Sequence, residues 1–248
     1  MVILSILFFI TAILYSSVGF GGGSTYLALL LIWDLPYYIF PIIALICNII
    51  VVSGNSFNYI RAGNHNIKLL LPFLIGSIPL AFFGGTLIIN KEIFEILLFI
   101  VLSIAGLLLL INNKSYRERE IVIKKLNFFI SIFVGSILGL VSGVVGIGGG
   151  IFLSPILFLL KADKPKNIVT TASLFILINS ISGIFGQLTK ENVFNEISSF
   201  WPLFLTVFAG GLFGNLLNLR IFSSRVLALI TSLLVIFVAV RMGFRIFV

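Results

Sequence analysis

Two runs of glycine are the residues of this chain whose type and spacing can do chemistry: Val18-Gly19-Phe20-Gly21-Gly22-Gly23 and Val145-Gly146-Ile147-Gly148-Gly149-Gly150. Glycine lets a ligand approach the backbone closely, and a helix that starts directly after such a run points its positive end and its unpaired amide hydrogens at it. A place of that kind holds an anion. Gly21, Gly22, Gly23, Gly148, Gly149 and Gly150 are therefore the expected backbone donors, joined by the hydroxyls of Ser24 and Thr25. Dinucleotide binding is another use of glycine, and it fails here. The pattern G-x-G-x-x-G needs glycine at positions 24 and 151, where Ser24 and Ile151 stand, and no strand-helix alternation surrounds either run.

Polar side chains inside otherwise apolar stretches form a second group: Asn48, Ser53, Asn55 and Asn58, then Thr170, Thr171, Ser173, Asn179, Ser180, Ser182 and Gln187. Asn48 and Asn179 are the deepest amides, and an amide in lipid needs a partner. Asn48, Thr171, Ser173 and Asn179 are the expected pocket-shaping residues. The competing use is hydrogen bonding between helices, worth about 0.6 kcal/mol on average. Gly139 with Gly143, and Gly210 with Gly214, carry the small-xxx-small spacing of close helix packing.

Several chemistries are absent from the sequence. One cysteine, Cys47, allows no internal disulfide, and one histidine, His65 near Arg61, allows no His-based metal cluster. There is no G-x-S-x-G, no H-E-x-x-H and no deep pair of carboxylates, so no enzyme, cofactor or metal site is expected. Asp34, Lys91, Glu92, Glu95, Asp163, Lys190 and Glu191 all fall at or near the ends of apolar runs. A coupled carrier usually keeps an ionisable group inside the membrane. Here either the substrate brings its own titrating group or the route is uncoupled.

The elements that must position these residues follow from composition. The chain has 248 residues, 60% hydrophobic and 10% charged, with a mean hydropathy of +1.24. Soluble chains carry roughly 25% charge, so most of this surface must face lipid. The start, Met1-Val2-Ile3-Leu4-Ser5, has no positive stretch and no cleaved leader is expected. Net charge is +8, but the basic residues sit in short connections, which reports orientation in a membrane and not nucleic-acid binding.

Cutting at charged and turn-rich points leaves apolar runs at 1–33, 37–60, 69–90, 93–111, 126–160, 167–189, 197–219 and 226–240. Most are near the roughly 20 residues that cross a bilayer as helix. The first and fifth are too long and break at the glycines, so each reads as two short helices joined by a loop.

The runs also repeat. Val18, Gly19, Gly21, Gly22 and Gly23 match Val145, Gly146, Gly148, Gly149 and Gly150 at an offset of 127, and Pro72, Phe83, Gly84 and Leu87 match Pro202, Phe213, Gly214 and Leu217 at 130. Two four-segment repeats, 1–111 and 126–248, are expected around a charged linker at 112–125, forming one transport domain. If all eight runs cross, Lys and Arg divide 10 against 6 between the two sides; if the glycine-broken runs are hairpins that return to their own side, they divide 12 against 4. The positive-inside rule favours the second arrangement. It gives six full spans, two re-entrant hairpins and inverted halves, a plan that recurs in secondary transporters. The expected fold class is an all-α polytopic membrane protein.

At this level the chain resembles the sulfite exporter TauE/SafE family. The resemblance rests on Gly146-Ile147-Gly148-Gly149-Gly150 followed by Pro155, the first copy at Gly19 to Gly23, Asn48 with Arg61-Ala62-Gly63, and the segments Pro72 to Gly85 and Pro202 to Gly214. It covers essentially the whole chain. The first copy departs by having Ala28 where the second has Pro155, and Cys47-Asn48 where the second has Ala172-Ser173 nearby.

The resemblance implies a multi-pass protein of the bacterial inner membrane that moves small sulfur-containing anions such as sulfite or sulfonates, often outward. The expected function is a secondary transporter, an exporter, of such an oxyanion bound between the two glycine loops. An anion channel, or a carrier of a small carboxylate, is the alternative. The expected partners are the small anionic substrate and the lipid bilayer, with room for a homo-oligomer and none for nucleic acid.

Overall fold

A computed structural model describes residues 1–33, 35–111, 123–124, 126–190 and 197–216, with isolated positions beyond 232. The helices are α1 (Val2–Val18), α2 (Gly23–Ile32), α3 (Phe40–Arg61), α4 (Ile67–Thr86), α5 (Lys91–Ile111), α6 (Phe128–Val145), α7 (Gly150–Leu159), α8 (Pro165–Gln187) and α9 (Trp201–Leu216). No strand occurs among the described residues. Five stretches are long and apolar enough to cross a membrane: Tyr37–Arg61, Ile67–Thr86, Phe128–Val145, Pro165–Gln187 and Ser198–Leu216. The chain is an all-helical membrane protein. The expected linker at 112–125 and last run at 226–240 lie mostly outside the described residues.

The outer surface explains the composition. Leu71, Ile75 and Phe82 of α4, Phe129 and Phe133 of α6, and Phe208 and Leu212 of α9 are all exposed. Such a continuous apolar exterior is stable against acyl chains and not against water. Pro41 and Pro165 stand in the first turns of α3 and α8, where a missing N–H leaves no intrahelical bond unmade.

Both glycine runs break their helices and turn the chain. Gly19 ends α1 and Gly146 ends α6, each left-handed, at φ +83° and +89°, a conformation costly for any side chain. Past the first break the chain doubles back. The rings of Phe8 on α1 and Tyr26 on α2 lie 4.7 Å apart, whereas an unbroken helix would separate them by about 27 Å. Tyr15 Oη and Thr25 Oγ1 are 2.8 Å apart across the same turn. Past the second break, a methyl group at Gly149 would lie 3.4 Å from the carbonyl of Leu138, a residue about 16 Å away along a straight helix.

Glycine stripes set which helices touch and in which direction they run. Gly135, Gly139 and Gly143 of α6 lie on Phe73, Ser77 and Ala81 of α4, so these two helices advance together. Gly210 and Gly214 of α9 lie on Phe9 and Ile13 of α1, again in parallel. Ser182 donates to the Ile78 carbonyl at 2.7 Å and Gly186 rests on Phe82, which aligns α8 with α4. Helices α3 and α8 run in opposite directions, since Ser56 pairs with Ser173 at 3.0 Å while Leu45 reaches Gly183. Lipid supplies no hydrophobic drive between helices, so close contact of this kind and buried hydrogen bonds hold the bundle.

The basic connections meet on one face. Asn66 Nδ2 donates to Asp163 Oδ2 at 2.6 Å, and the Lys124 amide donates to the Lys161 carbonyl at 3.1 Å. Eight full crossings would put the 61–68 and 161–166 connections on opposite sides of a membrane.

Candidate functional site

The two glycine breaks touch each other, and Asn48 lies between them. Asn48 is fully buried on α3 and its Nδ2 donates to the Ile147 carbonyl at 3.1 Å. A methyl group at Gly21 would lie 2.6 Å from Asn48 Oδ1, and one at Gly23 would lie 2.6 Å from the Ile147 carbonyl. One at Gly148 would meet Asn48 Nδ2 and Ile176 Cγ2 at 2.9 Å, with Ser180 Oγ at 3.2 Å. Only glycine permits this approach of two backbones and an amide. The N-termini of α2 and α7 thereby open beside the same point.

The other expected residues divide. Gly22 faces Thr11 and Tyr26, Gly149 faces the ring of Phe175, and Gly150 packs on Ile176 and the Ala172 carbonyl. These three shape the breaks. Ser24, next in sequence to Gly23, is buried and its Oγ has no hydrogen-bond partner. Thr25 is tied to Tyr15. Thr171 is buried with Oγ1 unpartnered, and Ser173 is bonded to Ser56. Both stand about one helical turn along α8 from Ile176, towards the basic face. Asn179 spends its Nδ2 on the Phe175 carbonyl of its own helix at 2.8 Å, leaving Oδ1 unpartnered.

Two participants escape the sequence reading, the Ile147 carbonyl and Ile176, and Ser180 stands among the polar residues of its segment but not among the expected pocket residues. The pairing of Cys47-Asn48 with Ala172-Ser173 is corrected, because Ile176 packs against Gly148 and Gly150 much as Asn48 packs against Gly21 and Gly23. An offset of 128 carries position 48 to 176, between the 127 and 130 of the flanking matches. That interpolation was the available signal, obscured because Asn and Ile are chemically unlike.

The centre holds no formal charge from the described residues. Its unpartnered polar atoms are Asn48 Oδ1 and Ser180 Oγ, and Ser24, the residue after Gly23, carries a third buried hydroxyl without a protein partner. Unpartnered buried polar atoms cost roughly 1–3 kcal/mol each, and a ligand or water that satisfies them recovers that cost.

Comparison with known proteins agrees with this architecture. The family model for the sulfite exporter TauE/SafE matches residues 4–242. A probable membrane transporter protein of Sinorhizobium fredii is 26% identical over 234 residues, covering 93% of each chain. Another, of Methanocaldococcus jannaschii, is 31% identical over 198 residues, covering 76% of this chain and 73% of its own. A third, from Haemophilus influenzae, is 33% identical over 57 residues, covering 23% of this chain and 21% of its own. No solved structure matches the chain. A match over nearly every residue, on a bundle of apolar helices broken at its two glycine runs, makes this chain a multi-pass membrane protein that belongs to the sulfite exporter TauE/SafE family.

Proposed function

We propose that the protein is a secondary transporter that exports a small sulfur-containing oxyanion, such as sulfite or an organosulfonate, held between the two glycine breaks. The observation that carries this reading is their meeting at Asn48. Each short helix, α2 and α7, brings a positive end worth roughly half an elementary charge to that point. Backbone amides of Gly21 to Gly23 and Gly148 to Gly150, with Ser24 and Asn48, form the cradle; Thr171, Ser173 and Asn179 line the approach. The relatives' names, all membrane transporters, favour a carrier over an enzyme.

Alternating access rests on two inverted copies, 1–111 and 126–248, each opening with a re-entrant hairpin. The opposite directions of α3 and α8 support the inversion. The Asn66–Asp163 bond supports the hairpins, because it holds on one face two connections that full crossings would separate. With no charged coupling residue at the centre among the described residues, a membrane potential negative inside drives an anion outward by about 2.3 kcal/mol per charge per 100 mV.

Sulfite flux in proteoliposomes tests the reading. Gly21→Ala, which sets a methyl group against Asn48 Oδ1, is expected to lower flux at least tenfold. Gly211→Ala is the control, since its nearest neighbour would be Val51 at 3.9 Å. A carrier shows saturation and trans-acceleration by unlabelled sulfite. Wild-type flux in Gly21→Ala would remove the glycine centre from the mechanism.

A further inference from the structure

We propose that the glycine centre selects a singly charged oxyanion that still carries a proton, so that each turnover moves a proton together with the anion. The inference rests on the reading of this centre as the anion site and narrows its cargo, from sulfite or an organosulfonate to hydrogensulfite, because a sulfonate head group carries no proton.

The orientation of the Asn48 amide decides the first point. Its Nδ2 donates to the Ile147 carbonyl, so Oδ1 is fixed as the atom turned towards Gly21. Exchanging the two atoms would set oxygen against oxygen. Asn48 Oδ1 is buried and unpartnered, and an amide oxygen can only accept. A fully deprotonated oxyanion offers no donor and would sit against this oxygen with repulsion. A hydrogen-bearing oxyanion donates its O–H to Oδ1 and turns its remaining oxygens to the backbone amides. The hydroxyls of Ser24 and Ser180 serve either polarity.

Charge decides the second point. Among the described residues, titratable groups on the elements packed against α3 are Tyr15 of α1, Tyr26 of α2 and Tyr37 and Tyr38 of the short 3-10 turn that leads into α3, and on α3 itself Cys47, Tyr59 and Arg61. The helical parts of α6, α7 and α9 bring none, and α8 brings only Lys166 in its first turn. Arg61 is 13 positions from Asn48 along α3 and Lys166 is 10 from Ile176 along α8, roughly 20 Å and 15 Å. The centre is thus served by two helix ends whose partial charges sum to about one unit. That balances one negative charge, and a second, lacking a counter-charge in a low-dielectric site, raises the cost steeply.

Protonation state and site identity separate in one experiment on the purified full-length protein in detergent. Binding is measured by calorimetry for sulfite, which changes from monoanion to dianion near neutral pH, for methanesulfonate, a monoanion with no donor on its head group, and for sulfate. Wild-type protein is expected to bind sulfite with a dissociation constant that rises about tenfold per pH unit once the dianion dominates. Methanesulfonate should bind at least tenfold more weakly, with no pH dependence, and sulfate weakest. Sulfite binding that stays constant or tightens at high pH, or methanesulfonate binding equal to that of hydrogensulfite, overturns the inference. Gly148→Val reports on the underlying site: if it abolishes sulfite binding while wild type follows the dianion, only the protonation inference falls. If it leaves binding intact, or if none of the three anions binds wild type, the glycine centre falls with it.

Discussion

Asn48 of α3 donates to the backbone carbonyl of Ile147, 99 positions further along the chain, and in doing so joins one glycine break to the other. The bond closes where two backbones approach so closely that Gly21, Gly23 and Gly148 admit no methyl group. Asn48→Ala leaves the Ile147 carbonyl without its donor, an expected stability loss of about 1–3 kcal/mol, and removes the acceptor at the centre. Sulfite flux should fall at least tenfold. Ser53→Ala is the informative contrast, because that exposed hydroxyl bonds only to the Ile49 carbonyl of its own helix. Its flux should stay within a few fold of wild type, and thermal unfolding in detergent together with liposome flux would check both variants.

The packing of the two halves makes a second, quantitative prediction. A methyl group at Gly84 would lie 2.5 Å from the Leu140 carbonyl, and one at Gly214 would lie 2.5 Å from that of Ile13 and also meet the Ser16 hydroxyl, which can rotate away. These are equivalent contacts, since Gly84 and Gly214 differ by 130 positions and Ile13 and Leu140 by 127. Gly84→Ala and Gly214→Ala should therefore cost similar amounts, about 1–3 kcal/mol each from overpacking. Unfolding midpoints that differ widely between the two would argue that the halves do not share one packing plan.

Asp163 organises the basic face. Its carboxylate accepts from Asn66 Nδ2 at 2.6 Å, the Lys164 amide at 2.6 Å and Asn167 Nδ2 at 3.1 Å. Asn66 in turn caps α4 through the Leu69 amide. Hydrogen bonds to a charged group contribute about 1.5–3 kcal/mol each, so Asp163→Ala should destabilise the protein by at least ~2 kcal/mol. Asp163→Asn, which keeps an acceptor, should cost less. A cysteine placed at position 65 should become more reactive to a water-soluble maleimide in Asp163→Ala, in a Cys47→Ala background, because the latch between the two connections is gone.

Much of this is legible in the sequence because membrane helices announce themselves by apolar length and because glycine runs of this density fit poorly inside a helix. The breaks at Gly19 to Gly22 and Gly146 to Gly149 stand where the residues place them. The small-residue pairs Gly139 with Gly143 and Gly210 with Gly214 do lie at helix contacts. What the sequence hides is depth and facing. Asn48 and Asn179 look alike in a hydropathy reading, yet one amide reaches across the bundle and the other bonds back one turn along its own helix. Ile176 has no polar atom to draw notice and enters the centre only through its place in the second copy. The Ile147 carbonyl is a main-chain atom, and residue type does not mark which carbonyl a broken helix leaves unpaired.

Lys190, just beyond α8, yields a prediction with a definite sign. Its Nζ donates to Gln187 Oε1 at 2.8 Å, while Gln187 Nε2 donates to the Gly143 carbonyl at 2.8 Å. Burial lowers the Lys190 amine from its ordinary 10.5 to about 8. Below pH 8 it is protonated in both folded and unfolded chains, and the whole desolvation penalty is present. Between about pH 8 and 10.5 the unfolded chain binds a proton that the folded protein has released, so stability from this group rises with pH across that window. Lys190→Met should remove the penalty at pH 7 and flatten the rise. Melting temperatures of the two proteins, compared from pH 7 to pH 10, should converge as pH increases. A wild-type protein that loses stability relative to Lys190→Met on going from pH 8 to 10 would mean that this amine is held charged by its partners and not pressed towards neutrality by its surroundings.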